Sequence, residues 1–156
     1  MSERVIIGAV DVNASRQSVW EAWTTEEGIT SFFAPACKIN IRVNGAYELY
    51  FNPSAPEGER GGEGVRILAL QPPEMISFTW NAPPHLPEAR GQNTSVILRL
   101  EAISENRTRV HLHHSGWGSG GEWDEAYNYF TLAWNNVVLP RLSKRFTQGP
   151  VDWSQK

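Results

Sequence analysis

The sequence predicts an α+β fold in which about seven antiparallel strands form a sheet against one long C-terminal helix. Three observations support this prediction. Several segments alternate apolar and polar residues with the period of two that half-buried strands show. Turn-forming residues separate these segments, and only residues 13–33 and about 119–147 carry helical patterns. A meandering antiparallel sheet needs an apolar cover on one face, and the last helix is the only candidate for that cover.

The composition is typical of a single globular domain, which we expect to span residues 1–156. Net charge is −3 and the basic residues do not gather into one run, so we expect no nucleic-acid partner. The first apolar run ends at Asp11 and is too short for a signal peptide or a membrane span, which favours a cytoplasmic location. One cysteine, Cys37, excludes an internal disulfide.

The N-terminal part begins with a strand, VIIGAVDV at 5–12, which is rich in β-branched residues. Residues 13–33 then read as helix, with Asn13 or Ser15 as the N-cap. Gly28 is predicted to divide this stretch into two short helices.

Six further strands follow, because apolar runs of the right length lie between turn signals. They are 37–43, 46–51, 65–71, 75–80, 95–102 and 107–114. Asn44-Gly45 predicts a hairpin turn because both residues tolerate a positive φ. Pro72-Pro73 and residues 104–107 form the other tight links, while 52–64 and 81–93 are loops by composition.

The last helix is predicted to start at a capping box made by Ser119 and Glu122 and to run to about Thr147. Pro140 removes a helical hydrogen bond, so we expect a kink or bulge at 136–140. Beyond that point the apolar residues turn onto a different face of the helix. These residues are Val138, Leu142 and Phe146. The last turns are expected to pack against the short N-terminal helices or another subunit, which leaves a homodimer open.

The cluster HLHH at 111–114 does not have the geometry of a metal site. Neighbouring residues of a strand point to opposite faces, so His114 shares the core face with Val110 and Leu112, while His111 and His113 point outward. Three histidines therefore cannot converge on one ion, and we assign neither a metal nor a cofactor. His114 is either a core histidine bonded to a neighbour or a polar anchor for a ligand.

The helix carries an aromatic stripe, since Trp123, Tyr127, Phe130 and Trp134 fall within about 60° of each other. Plain core packing is one interpretation. The other is a cavity walled by rings, because four consecutive aromatic positions interdigitate poorly. The predicted ligand-binding residues are Phe32, Phe33, Tyr47, Trp80, His114, Trp117, Trp123, Tyr127, Phe130 and Trp134. Loop 81–93 and the Gly-rich 116–121 would form the rims, and we assign no catalytic residue.

Three motifs together resemble the START-like (SRPBCC) superfamily, over about residues 5–153. They are VDVNASRQSVWEAWTTEEGITSFF, PPEMISFTW and TRVHLHHSGWGSGGEWDEAYNYFTLAW. Within the superfamily, they resemble the group named after the C-terminal domain of the activator of the heat-shock protein 90 ATPase. The resemblance implies a helix-grip (START/Bet v 1-like) fold, in which a curved antiparallel sheet encloses a hydrophobic cavity with the long C-terminal helix. It also implies a hydrophobic ligand, since superfamily members bind lipids, sterols, hormones or polyketides.

Two other functions stay open at this stage. A cyclase or hydrolase could use the same cavity, with His114 as acid–base beside a tyrosine or a carboxylate such as Glu122 or Asp124. A co-chaperone or stress-response protein would need an exposed apolar patch on the outer sheet face. The outer positions of the last two strands are mostly polar, which favours the ligand-binding interpretation.

Overall fold

The computed structural model describes residues 4–154, and this part of the chain contains seven strands. The strands are β1 (Ile6–Val12), β2 (Ala36–Ile39), β3 (Tyr47–Tyr50), β4 (Ile67–Gln71), β5 (Met75–Trp80), β6 (Thr94–Ser104) and β7 (Arg107–Ser115). The helices are α1 (Arg16–Thr24), α2 (Glu26–Thr30), α3 (Pro87–Arg90), α4 (Gly121–Ala133) and α5 (Leu139–Gln148). A π-helical segment, Trp134–Val138, joins α4 to α5. The predicted α+β order is confirmed, with α3 added in a stretch that composition alone marks as loop.

A five-stranded antiparallel sheet in the order β1-β7-β6-β5-β4 forms the centre of the fold. β6 and β7 make the predicted hairpin across Glu105-Asn106, with Leu98 opposite Leu112. The inner face of β7 is fully buried at Val110 and His114, whereas His113 is exposed, as the alternation predicts. One face of the sheet therefore belongs to the core and the other faces solvent.

β2 and β3 form a separate hairpin whose connection differs from the predicted tight turn. The pairing ends at Ile39 and Tyr47, so seven residues, 40–46, join the strands. Asn44 has the positive φ expected of it, at 64°. Gly45 is needed for space, because a Cβ there would lie 2.0 Å from the Asn40 carbonyl oxygen.

The two short helices after β1 are confirmed, but Gly28 does not separate them. The break falls at Thr25, whose hydroxyl oxygen accepts a hydrogen bond from the Gly28 N–H and caps α2. Gly28 itself lies where a Cβ would be 2.3 Å from the carbonyl oxygen of Glu21. Its role is to let α1 and α2 approach closely. Ser15 caps α1, as one of the two predicted alternatives.

The C-terminal helix contains the predicted bulge, in the form of the π-helical segment. The N–H of Leu139 donates to the carbonyl of Trp134, five residues back, just before Pro140. An uninterrupted α-helix would rotate the later apolar residues away from the stripe, yet Val138 and Leu142 remain buried after the bulge. A π turn holds one residue more than an α turn, and this extra residue offsets the rotation. Phe146 shares a surface pocket with residues of α1 and α2, in agreement with the prediction that the last turns pack against the short N-terminal helices.

The predicted capping box at the start of α4 is also wrong. The N-cap is Gly120, whose N–H donates to the Asp124 carboxylate at 3.2 Å, and the Glu122 carboxylate bonds to a different helix. The other end of the helix leads into a tail that is tied to α2. Val151 N–H donates to the Ser31 carbonyl and Trp153 Nε1 donates to the Thr30 carbonyl. Within residues 4–154, no helix has the length and apolarity that crossing a bilayer requires.

Candidate functional site

The aromatic stripe of α4 becomes more buried along its length. Trp123 and Tyr127 are half-buried, whereas Phe130 is 7% exposed and Trp134 is 1% exposed. Trp134 lies 5.6 Å from Trp80 and 5.7 Å from Phe33, measured between ring centroids. These last three rings come from α2's C-terminal flank, β5 and the C-terminal helix, so they join three separate parts of the fold.

His114 lies beneath these rings and bridges them. Trp134 Nε1 donates a hydrogen bond to His114 Nδ1 at 3.0 Å. His114 Nε2 lies 2.7 Å from the Thr94 hydroxyl, and that hydroxyl donates to the carbonyl of Trp80 at 3.1 Å. Because the indole N–H can only donate, Nδ1 must be the unprotonated nitrogen and Nε2 carries the hydrogen. The relay runs from Trp134 through His114 and Thr94 to Trp80.

The environment keeps this imidazole neutral. His114 is completely buried, and burial lowers the pKa of its side chain to about 3, with a smaller contribution from the neighbouring His113. A protonated ring would also have to donate from Nδ1 toward the Trp134 N–H, which is itself a donor. Of the two predicted roles, the structure supports the core histidine that is bonded to its neighbours.

Several of the predicted ligand-binding residues are interlocked with their neighbours instead of facing free space. Trp117 packs 4.4 Å from the His114 ring centroid and donates to the His114 carbonyl. The hydroxyl of Tyr127 donates to the Val5 carbonyl, and that of Tyr47 donates to the Trp23 carbonyl. Trp123 packs edge-on against Trp117, and Phe32 packs against Trp23. This part of the interior is filled.

An open cleft lies at the other end of the stripe, with a volume of about 420 Å³. Of the ten predicted residues, it brings together Phe33, Trp80, Phe130 and Trp134. The other six do not line it. Ligand binding at these positions stays a prediction, but the cleft locates the free volume beside the second half of the stripe.

The cleft also has lining residues that sequence reasoning missed. On the helix they are Tyr129, Ala133, Val137, Val138 and Arg141. Ala133 is the small residue beside Trp134 that leaves room, a signal that the pattern of rings alone does not show. Phe51 and the segment 59–61 line the opposite side, and loop 81–93 contributes residues 81–84 and Arg90. The Gly-rich 116–121, predicted as a second rim, does not contribute.

Arg90 fixes the loop side of the cleft. Its guanidinium donates to the carbonyls of Ala82, Gly58 and Gly61 at 2.6 to 2.8 Å and pairs with Glu63 at 3.3 Å. Burial lowers the pKa of Arg90, and the adjacent Glu63 carboxylate opposes that shift. One cation thereby ties both long loops together and leaves this side of the cleft with a defined shape.

A carboxylate from α4 in turn holds the helix that carries Arg90. Glu122 Oε1 accepts hydrogen bonds from the N–H groups of Glu88 and Ala89 at 2.8 and 3.0 Å. These are N–H groups of the first turn of α3, which lack partners within the helix. Glu122 thus joins α4 to the loop side of the cleft.

The acid–base pairing considered for a cyclase or hydrolase is not assembled. Both ring nitrogens of His114 are bonded to side chains below the cleft. Glu122 caps α3, and Asp124 pairs with Arg4 at 2.7 Å. None of these three residues lines the cleft. Within residues 4–154, no cluster of three metal-ligating side chains is found either.

Comparison with known families and structures agrees with this architecture. The family model described as "Activator of Hsp90 ATPase homolog 1-like protein" matches residues 13–146. CalU16 from Micromonospora echinospora is similar in structure, with a TM-score of 0.69 and 22% identity, over 97% of this chain and 79% of that chain. The Aha1 dimer from Colwellia psychrerythraea gives 0.69 and 20%, over 94% and 98% of the two chains.

A third similar structure is PFC0360w, an HSP90 activator from Plasmodium falciparum. Its TM-score is 0.66 at 14% identity, over 94% of this chain and 97% of that chain. Likeness at these identities establishes the fold alone. No curated protein sequence matches the chain.

Proposed function

The chain belongs to the family of activator of Hsp90 ATPase homolog 1-like proteins, and on that premise we propose that it binds a hydrophobic or aromatic small molecule without catalysis. The ligand occupies the cleft between the sheet and the C-terminal helix. Phe33, Trp80, Phe130 and Trp134 contact it. Of the other six residues of the predicted set, Phe32, His114 and Trp117 pack against these rings.

The observation that carries this proposal is the cleft itself. Its volume of about 420 Å³ lies in the range of about 300–1,000 Å³ that small-molecule sites occupy. Most of its surface is ring or aliphatic carbon, and removing such surface from water favours binding by roughly 25 cal/mol per Å². The hydrogen bond to His114 fixes the Trp134 ring, and the Trp80 ring packs against both Trp134 and Phe33, so a ligand meets walls that are already in place.

The proposal is tested by filling the cleft from the helix. N-phenyl-1-naphthylamine, a neutral dye that fluoresces in apolar surroundings, is titrated into the wild type and into Ala133→Phe. Ala133 lines the cleft, so the added ring should occupy it and abolish the fluorescence increase. Leu132→Phe adds a similar ring one residue earlier, at a side chain that is 59% exposed and outside the cleft, and should bind as the wild type does.

Two results would contradict the proposal. One is a wild type that does not bind the dye or any other apolar compound of similar size. The other is equal binding by Ala133→Phe and the wild type, which would place the dye elsewhere. Native mass spectrometry of freshly purified protein adds an independent measurement, since a retained molecule would appear as a mass difference.

A second candidate function is partner binding of the co-chaperone type. Tyr129, Leu132 and Val137 on the C-terminal helix are 46%, 59% and 40% exposed, and together they form an apolar row. This row lies on the C-terminal helix and not on the outer sheet face, where a co-chaperone surface is expected from the sequence. One similar structure is described as an HSP90 activator, and another is a dimer.

The ATPase rate of a purified Hsp90 with added protein separates the two candidates. Stimulation that is lost in Leu132→Asp but kept in Ala133→Phe would favour partner binding. An unchanged rate with the wild-type protein would contradict it. Light scattering of the purified chain at several concentrations checks whether it forms a homodimer.

A further inference from the structure

The polar atoms of the cleft floor are all used within the protein. Trp134 donates its only N–H to His114, and the carbonyl of Trp80 accepts from the Thr94 hydroxyl. Phe33 and Phe130 have no polar side-chain atoms. A ligand in the cleft therefore meets only ring faces and edges at the floor, and any polar group that it carries has to be satisfied at the mouth.

The mouth of the cleft is cationic. Arg60, Arg90 and Arg141 all line it, against one carboxylate, the exposed Glu59. The Arg90 guanidinium is occupied by three carbonyls and Glu63. The other two arginines remain for a ligand.

Arg60 and Arg141 retain donors that the described protein does not use. Arg60 donates from Nε to the Ala55 carbonyl at 3.0 Å, which leaves the two terminal nitrogens of its guanidinium. The Arg141 guanidinium lies 5.1 Å from the ring centroid of Trp153. Neither arginine forms an ion pair with a carboxylate between residues 4 and 154.

We propose that the cleft selects molecules with an apolar, ring-sized body and an anionic group, and that Arg60 and Arg141 bind this group at the mouth. This inference rests on the proposed function, because it names the chemical class of the ligand for the same site. A guanidinium offers a planar pair of N–H donors that matches a carboxylate, a sulfonate or a phosphate. The apolar floor beneath lowers the local dielectric and strengthens that attraction. Glu59 is exposed, so solvent and salt screen its opposing charge.

Two dyes with the same aromatic body separate this inference from the proposed function. N-phenyl-1-naphthylamine is neutral, and 1-anilinonaphthalene-8-sulfonate carries one sulfonate on the same skeleton. The sulfonate dye is expected to bind more tightly, and its advantage should shrink as salt is raised, since salt screens partly exposed charges. The measured quantity is the ratio of the two dissociation constants, neutral over anionic.

Arginine variants test the assignment of the anion site. Arg60→Gln and Arg141→Gln are each expected to lower the ratio about two- to fivefold, the size expected of a partly exposed ion pair, and the double variant should bring it near one. Arg99→Gln removes the same charge from an exposed position of β6 outside the cleft, and it should leave the ratio as in the wild type. Glu59→Gln should raise the ratio.

The outcomes are distinguishable. If the neutral dye binds and Ala133→Phe prevents this, but the ratio is near one or is insensitive to both arginine variants, the anionic class is refuted while cleft binding stands. If Arg99→Gln lowers the ratio as much as the cleft variants, the effect is one of net charge and the inference also fails. If neither dye binds the wild type, the proposed function fails first.

Discussion

The buried His114 should make the stability of this protein fall between about pH 7.5 and pH 5. Burial lowers the pKa of His114 to about 3 in the folded protein, against an ordinary value of about 6.5 in an unfolded chain. The unfolded state therefore binds a proton across this range that the folded state does not bind. The stabilising contribution of the neutral ring is complete above the unfolded value and is lost progressively as the pH falls toward the folded one.

The magnitude follows from the two pKa values. At pH 5 the unfolded histidine is almost fully protonated and the folded one is not, which reduces the free energy of unfolding by about 2 kcal/mol relative to pH 7.5. For a chain of this length that corresponds to a fall of about 4–8 °C in Tm. The pKa of Asp11 is also shifted, but protonation of this carboxyl changes the free energy of unfolding only at lower pH. The change in stability between pH 7.5 and pH 5 therefore reports on His114.

The assay is urea unfolding at both pH values for the wild type, His114→Gln and His113→Gln. Glutamine can accept a hydrogen bond from Trp134 and donate one to Thr94, but it does not titrate. The free energy of unfolding of His114→Gln should therefore decrease between pH 7.5 and pH 5 by about 2 kcal/mol less than that of the wild type. His113→Gln, on the outer sheet face, should behave as the wild type does. Equal losses in all three proteins would refute the reasoning. NMR titration of the wild-type His114 ring gives a second check, because a ring that titrates near pH 6.5 would contradict the buried, neutral state.

Three further changes test individual contacts. Gly28→Ala should destabilise the protein by about 2–3 kcal/mol in urea unfolding, because its Cβ would lie 2.3 Å from a backbone oxygen; Gly91→Ala, with 3.7 Å of space, should stay within about 0.5 kcal/mol. Glu122→Ala removes the cap of α3 and should cost about 1 kcal/mol, whereas Glu125→Ala, at an exposed pair, should cost less than about 0.5 kcal/mol. Asp11 accepts hydrogen bonds from two arginines, which hold the pKa of its carboxyl well below the usual range. Its contribution to the free energy of unfolding is therefore present above about pH 4 and disappears in stronger acid. Acid unfolding should accordingly show the difference between the wild type and Asp11→Asn shrinking below that pH.

Local patterns were sufficient to predict the strands and the core face, but not the cleft. The β6–β7 hairpin follows from alternation and a short turn, both of which are local properties. The cleft depends on Arg90, whose partners lie up to 32 residues away in the chain. Glu122 illustrates the same limit, because its partners on α3 lie 33 and 34 residues away, while the sequence pattern offered a partner three residues away.

The aromatic stripe shows why spacing alone does not locate the free volume along the helix. Spacing alone places all four rings on one side of the helix and cannot tell which of them has a partner across from it. Trp117 and the N-terminal residue Val5 fill the space beside Trp123 and Tyr127. Within the part of the chain that the structure describes, no comparable residue fills the space beside Ala133, so the free volume remains at Phe130 and Trp134.

The π-helical segment explains how the same helix provides both the buried floor and a charged mouth. In an uninterrupted α-helix Arg141 would lie within about 20° of Trp134, on the buried side. The π turn advances roughly 80° per residue instead of 100° and so moves Arg141 by roughly 70°, onto the flank where the cleft opens. Leu142 takes the buried position instead and is fully inaccessible.

Removing the extra residue of this segment tests the explanation. Deleting Asn136 should convert the π turn into an α turn and change the direction of Leu142 relative to Trp134 by only about 30°. Deleting Asn128 from α4 should instead rotate every later residue by about 100° and expose Trp134. Both deletions are made in Pro140→Ala, because a proline inside an unbroken α-helix would itself cost about 3 kcal/mol. The Asn136 deletion is expected to retain cooperative urea unfolding and tryptophan burial, and the Asn128 deletion is expected to lose both. If the two deletions destabilise the protein equally, the π-helical segment does not set which residues after Trp134 face the core.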